Sequence, residues 1–492
     1  MSKREIVVPK RNGVARASRC LRSSLLLALA VLAASAVGAE SPPSSPAAQQ
    51  PYAGPVGYEI WIASLTANVV TIIDIADLSV VDTIHLPWSP YTVAVGYDAN
   101  NDRDLVFVTL IDTAQIVVID AETRQIEGFI DLPNANDPLL VASPDGSTIY
   151  VNNCTPGVAA LEVDVATQEI VRPLPITNTW GMEFSADGRT AFYQSPWSSC
   201  TDAGSNEVRI VNLMKGEFVG VALPKPESLR WGRGGAKDLT RIPQTDSFVA
   251  IWDLAPFIVD ANLEVVGFPD DPTLALASEY GSVLWEVEVR DASRAYVYGN
   301  VINSDEEVFG LLDISNPTMP FYPDLASRRG PPGFNPGAPT ADGFEIVGNY
   351  AYFAHWDNFR SNTFGAELQA WDLDVDPPVK AASLQMPDET WWLNYFAVRQ
   401  VPAPEQIANI EENAAATLDA AGVPENKEGV NKALEDAADR VDDGDTAKAI
   451  AALEKAVKSL NQLVKKGYLS AAEAQPLIDA INAMIQELSG GG

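Results

Sequence analysis

The sequence predicts a mainly β protein, a seven-bladed β-propeller followed by a small all-α domain of four helices. Two observations predict the propeller: a short strand pattern ending in Asp or Asn recurs seven times, and an aromatic strand precedes each copy. A third predicts the second domain. After Pro402 and Pro404 the composition shifts to Ala, Glu, Lys, Leu and Asn, and apolar residues recur with a helical period.

The recurring strands are similar in length and regular in spacing. They are 69–74, 116–120, 160–164, 208–212, 257–260, 310–313 and 368–372. Their terminal Asp or Asn positions lie 46, 44, 48, 48, 53 and 59 residues apart. Intervals of this size are typical of propeller blades, in which each repeat is one small sheet.

Each copy follows an aromatic strand, and the later units also carry a preceding strand that ends in a tight turn. The aromatic strands begin at Trp61, Phe107, Tyr150, Phe192, Phe248, Tyr296 and Tyr352. Ser143-Pro144-Asp145-Gly146 is one such turn, in which glycine supplies the positive φ that a tight hairpin needs. Each unit is therefore predicted to be a four-stranded meander.

The two ends of the repeat region are predicted to close the ring. The chain enters directly on an aromatic strand at Tyr58, so the first unit lacks an innermost strand. The segment 391–398, which follows the last unit, is available to supply it. Closure would remove the exposed sheet edges of the first and last blades. The propeller is predicted over residues 58–401.

One unit resembles a known repeat. Tyr150-Val151-Asn152-Asn153 follows a Ser-Pro-Asp-Gly turn and precedes a strand ending at Asp164. This order is similar to the YVTN family of β-propellers, found in exported and surface-layer proteins. The resemblance in sequence covers about 150 residues in the first three units. Beyond Gly204 only the predicted architecture of the units is similar. It implies a fold more than an activity.

Residues 402–492 are predicted to be the helical domain. Four helices fit, at about 405–421, 426–440, 446–466 and 471–488, with Asp445 and Ser470 as N-caps. Ser470 and Glu473 have the spacing of a capping box. The stretch from Leu460 to Ala480 resembles a helical domain called FIMAH, which is appended to many secreted proteins. That resemblance covers residues 405–488 and implies attachment or assembly.

The N-terminus is predicted to be a signal peptide over residues 1–39. Seven basic residues precede or flank a small and apolar run from Leu25 to Ala39, which is too short to span a bilayer well. Residues 40–57, rich in Pro and Ser, are predicted to be a flexible leader. The protein is thus expected to be exported to the periplasm or outside the cell, and not to be embedded in a membrane.

The net charge excludes one class of partner. The chain has 33 Lys and Arg against 66 Asp and Glu, a formal charge of −33, and removing residues 1–39 makes it −39. Such a charge repels phosphate backbones, so no nucleic-acid partner is expected. A protein or a polysaccharide component of the cell envelope is the expected partner.

Tryptophans and a basic cluster define a predicted binding face. The loops on one face of the propeller should display aromatic platforms for a sugar or a protein side chain. A cluster of basic residues nearby suggests a carboxylate site, or serves only to neutralise acidic neighbours. The residues of this face are Trp88, Trp180, Trp197, Trp231, Arg230, Arg233, Lys237, Trp356 and Trp391.

The leading hypothesis is an exported, non-enzymatic propeller that serves as a binding or scaffold protein through this face. The alternative is a propeller-type hydrolase or lactonase with carboxylates, and optionally calcium, near the central channel. No catalytic residue is assigned, since serine-hydrolase, zinc-protease and haem-attachment motifs are absent from the sequence. The weak candidates are Asp342, His355, Asp357, Asp388 and Glu389.

Two further features complete the predicted sites. Asp98, Asn100, Asp102 and Asp104 alternate as calcium ligands can, although no glycine or bidentate Glu follows at the expected distance, and a solvated hairpin is the other interpretation. No cofactor is expected unless calcium binds there. Cys154 and Cys200 follow the aromatic strands of adjacent units, and an oxidising compartment favours a disulfide between them over free thiols.

Overall fold

The structure is a computed structural model with 27 strands and four helices in the part of the chain that it describes. That part comprises residues 52, 54–133, 138–153, 157–177, 179, 181–193, 208–220, 236–252, 255–260, 264–267, 282–301, 307–315, 344–356, 366–375, 378–386, 393–423 and 429–490.

Seven antiparallel sheets follow one another along the chain and form the predicted seven-bladed β-propeller. Blade 1 contains β1 (Tyr58–Ser64), β2 (Val69–Asp74) and β3 (Ser79–His85). Blade 2 contains β4 (Pro90–Asp98), β5 (Arg103–Leu110), β6 (Gln115–Asp120) and β7 (Ile126–Asp131). Blade 3 contains β8 (Pro138–Ala142), β9 (Thr148–Asn153), β10 (Ala159–Asp164) and β11 (Glu169–Thr177).

The later blades have shorter described strands. Blade 4 contains β12 (Met182–Phe184), β13 (Thr190–Tyr193), β14 (Arg209–Asn212) and β15 (Glu217–Phe218). Blade 5 contains β16 (Ala236–Arg241), β17 (Phe248–Trp252), β18 (Ala255–Val259) and β19 (Val265–Gly267). Blade 6 contains β20 (Ser282–Asp291), β21 (Arg294–Val301) and β22 (Glu307–Asp313). Blade 7 contains β23 (Phe344–Val347), β24 (Tyr350–Trp356), β25 (Ala366–Asp372) and β26 (Val379–Gln385).

The ring closes as the sequence predicts. The last strand, β27 (Leu393–Gln400), pairs antiparallel with β1 and completes blade 1 in the order β27-β1-β2-β3. The first strands of successive sheets also contact one another, as in β4 with β8, β16 with β20, and β20 with β23. These first strands are therefore the inner wall of the propeller, with β27 serving blade 1.

Burial between blades explains why the strands are apolar on both faces. Trp61 of blade 1 and Phe107 of blade 2 are fully buried. Trp61 belongs to the apolar cluster between blades 1 and 2, and Phe107 belongs to the cluster between blades 2 and 3. Alternate side chains of a strand point to opposite faces, so each blade contributes to the cluster before it and the cluster after it. Repeating this packing around the ring buries one continuous series of apolar layers.

The turn glycines behave as predicted. Gly146 has a φ of 70°, and its N–H donates to the carbonyl oxygen of Ser143 at 2.8 Å. A Cβ added there would lie 2.9 Å from the Cβ of Tyr97 in the neighbouring blade. Gly146 is therefore required both for the turn and for the close approach of two blades.

The C-terminal region is all-α. Its helices are α1 (Ala403–Ala420), α2 (Asn431–Asp442), α3 (Thr446–Lys465) and α4 (Ala471–Gly490). Ile407, Leu434, Leu453, Leu460 and Ile481 are fully buried in their shared core. The predicted capping box forms, because Ser470 N donates to Glu473 Oε2 at 2.7 Å and Glu473 N donates to Ser470 Oγ at 3.2 Å.

The described end of the predicted leader contacts the propeller. Tyr52 donates to the carbonyl oxygen of Ile75 and lies 3.0 Å from the hydroxyl of Tyr352. Gly54 N donates to the carbonyl oxygen of Ala76 at 2.9 Å. Tyr52 and Gly54, at the end of the predicted leader, are thus in contact with blades 1 and 7.

The helices that the structure describes include none that is long and apolar enough to cross a membrane.

Candidate functional site

Three glutamates occupy the same position on the inner strands of blades 4, 6 and 7. Each is paired across the sheet with an aromatic residue of the second strand. The pairs are Glu183 with Phe192, Glu288 with Tyr296, and Glu345 with Tyr352. The repeat therefore places an acidic side chain at one level of the inner wall in three of the seven blades.

The neighbours of each glutamate determine which way it faces. Met182 and Phe184 pack into the apolar cluster shared by blades 3 and 4. Since successive side chains alternate across a strand, Glu183 faces blade 5. Phe344 and Ile346 pack towards blade 6 in the same way, so Glu345 faces away from that cluster.

A fourth carboxylate, Asp238, joins the inner strands of blades 5 and 6. Its Oδ2 accepts a hydrogen bond from Val287 N at 2.7 Å, and its Oδ1 accepts one from Leu239 N at 2.8 Å. Thr240, two residues along β16, donates to the carbonyl oxygen of Val287 at 2.5 Å. These bonds fix Asp238 against the neighbouring inner strand.

Burial raises the pKa of two of these carboxyl groups to near neutrality. For Glu183 the pKa is about 7, because burial disfavours the charged form more than the Phe184 N–H and the Arg241 guanidinium favour it. The charges of Asp238 and Glu345 raise it further. For Glu345 burial, followed by the charge of Asp238, also raises the pKa to about 7.

The two glutamates lie in different blades of the ring. Glu183 lies in blade 4 and Glu345 in blade 7, and blades 5 and 6 separate them along the ring. Both glutamates therefore lie on inner strands that surround the same interior. Both residues are also partly exposed, as expected for side chains that line a narrow channel. We call Glu183, Asp238 and Glu345 the channel carboxylates.

Arg241 is a cation on the side of β16 that faces blade 4. In β16, Leu239 packs into the cluster between blades 4 and 5, so Arg241, two residues later, lies on the same side. Glu183 points into the same interface between blades 4 and 5. This agrees with the effect of Arg241, which lowers the pKa of Glu183. The Nε atom of Arg241 is buried and has no hydrogen-bond partner in the described part of the chain.

The arrangement is suited to proton transfer. A carboxyl group with a pKa near 7 is present in both protonated and ionised forms at neutral pH, so it can donate or accept a proton with little cost. Groups with shifted pKa values inside a cleft are typical of functional sites. Within the described residues, no group of three or more His, Cys, Asp or Glu is placed to hold a metal ion.

Most of the predicted binding face lies outside the described residues. This holds for Trp180, Trp197, Arg230, Trp231, Arg233 and Trp391. Lys237 lies in β16 and Trp356 in β24, where the structure describes the backbone but not these side chains. Trp88 is 41% exposed and makes an edge contact with Phe129, at a ring-centroid distance of 6.5 Å. Among the residues of this face, Trp88 is thus the exposed tryptophan whose side chain the structure describes.

The weak catalytic candidates are similarly placed. Asp342, Asp357, Asp388 and Glu389 lie outside the described residues. His355 is in β24, paired with Glu367 of β25, and its side chain is not described. Cys154 and Cys200 also lie outside, so their predicted disulfide stays a prediction.

The four candidate calcium ligands form the hairpin between β4 and β5. Asp98 is buried and accepts hydrogen bonds from Asn100 N at 3.0 Å and from Asn101 Nδ2 at 2.6 Å. Asp102 accepts from the Tyr97 hydroxyl at 2.5 Å, and Asp104 accepts from Arg399 Nε at 2.8 Å. Their carboxylates are directed to separate protein partners rather than to a shared point.

The channel carboxylates were not predicted, although the sequence contains a signal for the glutamates. Each glutamate stands between two apolar residues, in Met182-Glu183-Phe184, Val287-Glu288-Val289 and Phe344-Glu345-Ile346. In a strand of a buried inner wall, both faces are expected to be apolar, so an isolated Glu in such a run marks a departure from the pattern.

Comparison with known proteins identifies no family for this chain. No protein-family model matches the sequence, and no curated protein matches it. Among solved structures, the chain is similar to "Dihydro-heme d1 dehydrogenase NirN in complex with DHE", with a TM-score of 0.44 and 13% identity over 71% of this chain and 76% of that one. It is also similar to "Kuenenia stuttgartiensis Hydrazine Synthase", with a TM-score of 0.36 and 16% identity over 66% of this chain and 77% of that one.

These findings correct one prediction. Both solved structures are titled as enzymes, a dehydrogenase and a synthase, so the hypothesis of a non-enzymatic binding or scaffold protein is wrong on this comparison. Neither title names a hydrolase or lactonase, which was the alternative. Neither reaction is carried over to this chain, because the identities are low and fold alone does not determine activity.

Proposed function

We propose that the central channel is an acid–base site for a small molecule, in which Glu183 and Glu345 exchange protons with the molecule bound there. The observation that carries this proposal is the position of Glu183 and Glu345 on the inner strands of blades 4 and 7, where burial raises the pKa of both carboxyl groups. Placing several half-buried carboxyl groups around one space costs folding free energy, which argues for a role other than stability.

The two glutamates have different charged neighbours. Arg241 favours the ionised form of Glu183, whereas Asp238 disfavours the ionised form of both glutamates. Since the pKa of each glutamate is about 7, either one can donate or accept a proton at neutral pH. Because the carboxyl groups interact, Glu183 and Glu345 together keep protons at a higher pH than either residue would alone in water.

A small diazo reagent tests whether the channel is both accessible and protonated. Such a reagent esterifies a carboxyl group only in its protonated form, and mass spectrometry locates the ester. At pH 7 we expect Glu183 and Glu345 to be labelled ahead of exposed carboxylates. Glu473 is the internal control, since hydrogen bonds with Ser470 lower its pKa.

Two further controls make the result specific. Unfolding the protein before labelling should abolish the preference, because the glutamates then return to their ordinary pKa. Glu183→Gln should remove the label at that position. Equal labelling of Glu473 and the channel glutamates, or no labelling of the channel, would contradict the proposal.

We also infer, from the sequence resemblances, that the repeats are of the YVTN type and the helical domain of the FIMAH type, and that the protein is exported with residues 1–39 removed. N-terminal sequencing of the protein purified from its native host tests the last point. A mature N-terminus near Glu40 supports export, and retention of Met1 contradicts it.

A further inference from the structure

Helix α3 has a basic surface in a strongly acidic chain. It carries four lysines in 20 residues and a fifth follows it, whereas the whole chain has 33 Lys and Arg against 66 Asp and Glu. Its buried residues, such as Leu453 and Leu460, pack into the core of the bundle. All five lysines are exposed, and their spacing places them together on the side of the helix that faces water. They form the basic surface of α3: Lys448, Lys455, Lys458, Lys465 and Lys466.

Most of this charge is not neutralised within the helix. Lys448 pairs with Asp445, and Lys458 Nζ lies 3.8 Å from Glu454 Oε2, as neighbours along one helix can. The other three lysines have no ion pair in the described part of the chain. Glu454 is the one acidic residue of α3, so the surface keeps a positive charge.

The first two helices have the opposite charge. α1 has four acidic residues and no basic one, and α2 has four acidic residues and two basic ones, Lys432 and Arg440. Four of these eight carboxylates are exposed among the side chains that the structure describes. They form the acidic surface of α1 and α2: Glu412, Asp419, Glu435 and Asp439.

Like charges meet where α1 contacts α2. Burial, followed by the charge of Glu435, raises the pKa of Glu411 at this contact. Carboxylates held together in this way favour a cation nearby. The lysines of α3 do not supply one within the same copy, because α1 and α3 lie across the bundle from each other, each packed against α2 and α4.

We propose that the helical domain binds a second copy of this chain, with the basic surface of α3 in one copy against the acidic surface of α1 and α2 in the next. The argument for this partner is charge complementarity, since each copy carries both halves of the contact. The two surfaces differ, so the contact is heterologous, and copies join head to tail instead of closing as a two-fold dimer. The contact uses none of the channel carboxylates and thus goes beyond the proposed function.

Salt separates this local attraction from the repulsion between whole chains. Each chain has a formal charge of −33, which opposes association at about 0.01 M salt, where the Debye length is about 30 Å. At about 0.15 M salt the Debye length falls to about 8 Å, so the contact between the surfaces outlasts the repulsion. At about 1 M salt the contact is screened as well. Sedimentation velocity at several protein concentrations should therefore show the strongest association near 0.15 M salt.

Charge reversal tests whether the two surfaces meet each other. The Lys455→Glu, Lys465→Glu variant makes both surfaces acidic, and the Glu412→Lys, Glu435→Lys variant makes both basic. Each variant alone should associate about tenfold or more weakly than the parent. An equal mixture should regain association, because it allows one native contact and one contact with the charges exchanged. Unfolding midpoints show that each variant is folded.

The matched control is Arg189→Glu, Lys215→Glu, at two exposed positions of blade 4, which changes the net charge as much as the lysine variant does. It should associate as the parent does. An equal loss in this control, a mixture that does not recover, or a parent that stays monomeric at every salt concentration would each overturn the proposal. Binding of immobilised polygalacturonate through Lys455 and Lys465, without self-association, would assign the surface to an anionic polysaccharide and overturn it too.

Discussion

Arg399 of the closing strand and Glu405 of the first helix form a two-pronged ion pair. Arg399 Nη1 donates to Glu405 Oε1 at 2.9 Å, and Arg399 Nη2 donates to Glu405 Oε2 at 2.5 Å. Arg399 is only 2% exposed, so the pair is largely removed from water. A bidentate pair of this kind fixes orientation as well as supplying energy.

The same arginine reaches two blades. Its Nε donates to Asp104 of blade 2 at 2.8 Å, and its Nη1 donates to Glu59 of blade 1 at 3.3 Å. Gln406, the next residue of α1, donates to the carbonyl oxygen of Val401 at 2.8 Å. One buried cation therefore joins ring closure, the contact between blades 1 and 2, and the start of the helical domain.

Replacing Arg399 should destabilise the protein strongly. Arg399→Met keeps much of the side-chain volume but leaves three carboxylates without their shared cation, and removing one partner of a buried ion pair costs about 3–5 kcal/mol. Equilibrium unfolding in urea measures this loss. Arg440→Met is the matched control, because Arg440 pairs with Asp436 and Asp443 on the helix surface. Its cost should be at most about 1 kcal/mol. Equal losses in the two variants would contradict this account of Arg399.

Ser470 should contribute to the stability of the helical domain through its cap. Ser470→Ala removes the side-chain acceptor for Glu473 N, and losing an N-cap costs about 1 kcal/mol. The unfolding free energy from denaturant titration measures it. Ser459→Ala, in the interior of α3, is the control: its hydroxyl donates only to the carbonyl oxygen of Lys455, so stability should hold or rise slightly. A cost at Ser459 that matches the cost at Ser470 would be inconsistent with capping.

The channel glutamates should make stability depend on pH. Their pKa values are raised to about 7 in the folded protein, above the ordinary value of 4.5. Between these values the folded state binds more protons than the unfolded state, so stability falls as pH rises from about 4.5 to about 7 and levels off above. The slope is at most about 1.4 kcal/mol per pH unit for each proton.

Paired glutamine substitution should flatten this fall. The free energy of unfolding of the Glu183→Gln, Glu345→Gln double variant and of the parent is measured in urea at pH 5 and at pH 8. The loss between pH 5 and pH 8 is expected to be smaller in the double variant than in the parent. Glu454→Gln, at an exposed helix position, is the control for the Glu-to-Gln substitution itself. A double variant whose profile superimposes on that of the parent would show that these groups do not titrate near neutrality.

The fold could be predicted from the sequence because it is repetitive. A strand pattern repeated seven times leaves few architectures, and a spare strand at 391–398 identifies the closure. The capping box of Ser470 and Glu473 is equally local, since both residues lie within one helical turn. A single sequence predicts features that depend on residues close together in the chain or on a repeated period.

The candidate site could not be predicted in the same way. Glu183 and Glu345 are 162 positions apart in the sequence, and their interaction depends on how the ring brings blades 4 and 7 to a common interior. The position of Arg241 on the side of blade 4 follows from the register of β16. The tryptophans predict a binding face on the loops, whereas the channel carboxylates lie on the inner strands.

Direct titration of the glutamate carboxyl groups tests the central claim most directly. The protein is labelled with ¹³C at the glutamate side-chain carboxyl, and NMR spectra are recorded from pH 4 to pH 9, with Glu183→Gln and Glu345→Gln used to assign the two signals. We expect two resonances that titrate with midpoints near pH 7, well apart from the exposed glutamates. Midpoints near 4.5 for both residues would contradict the account of the channel as an acid–base site.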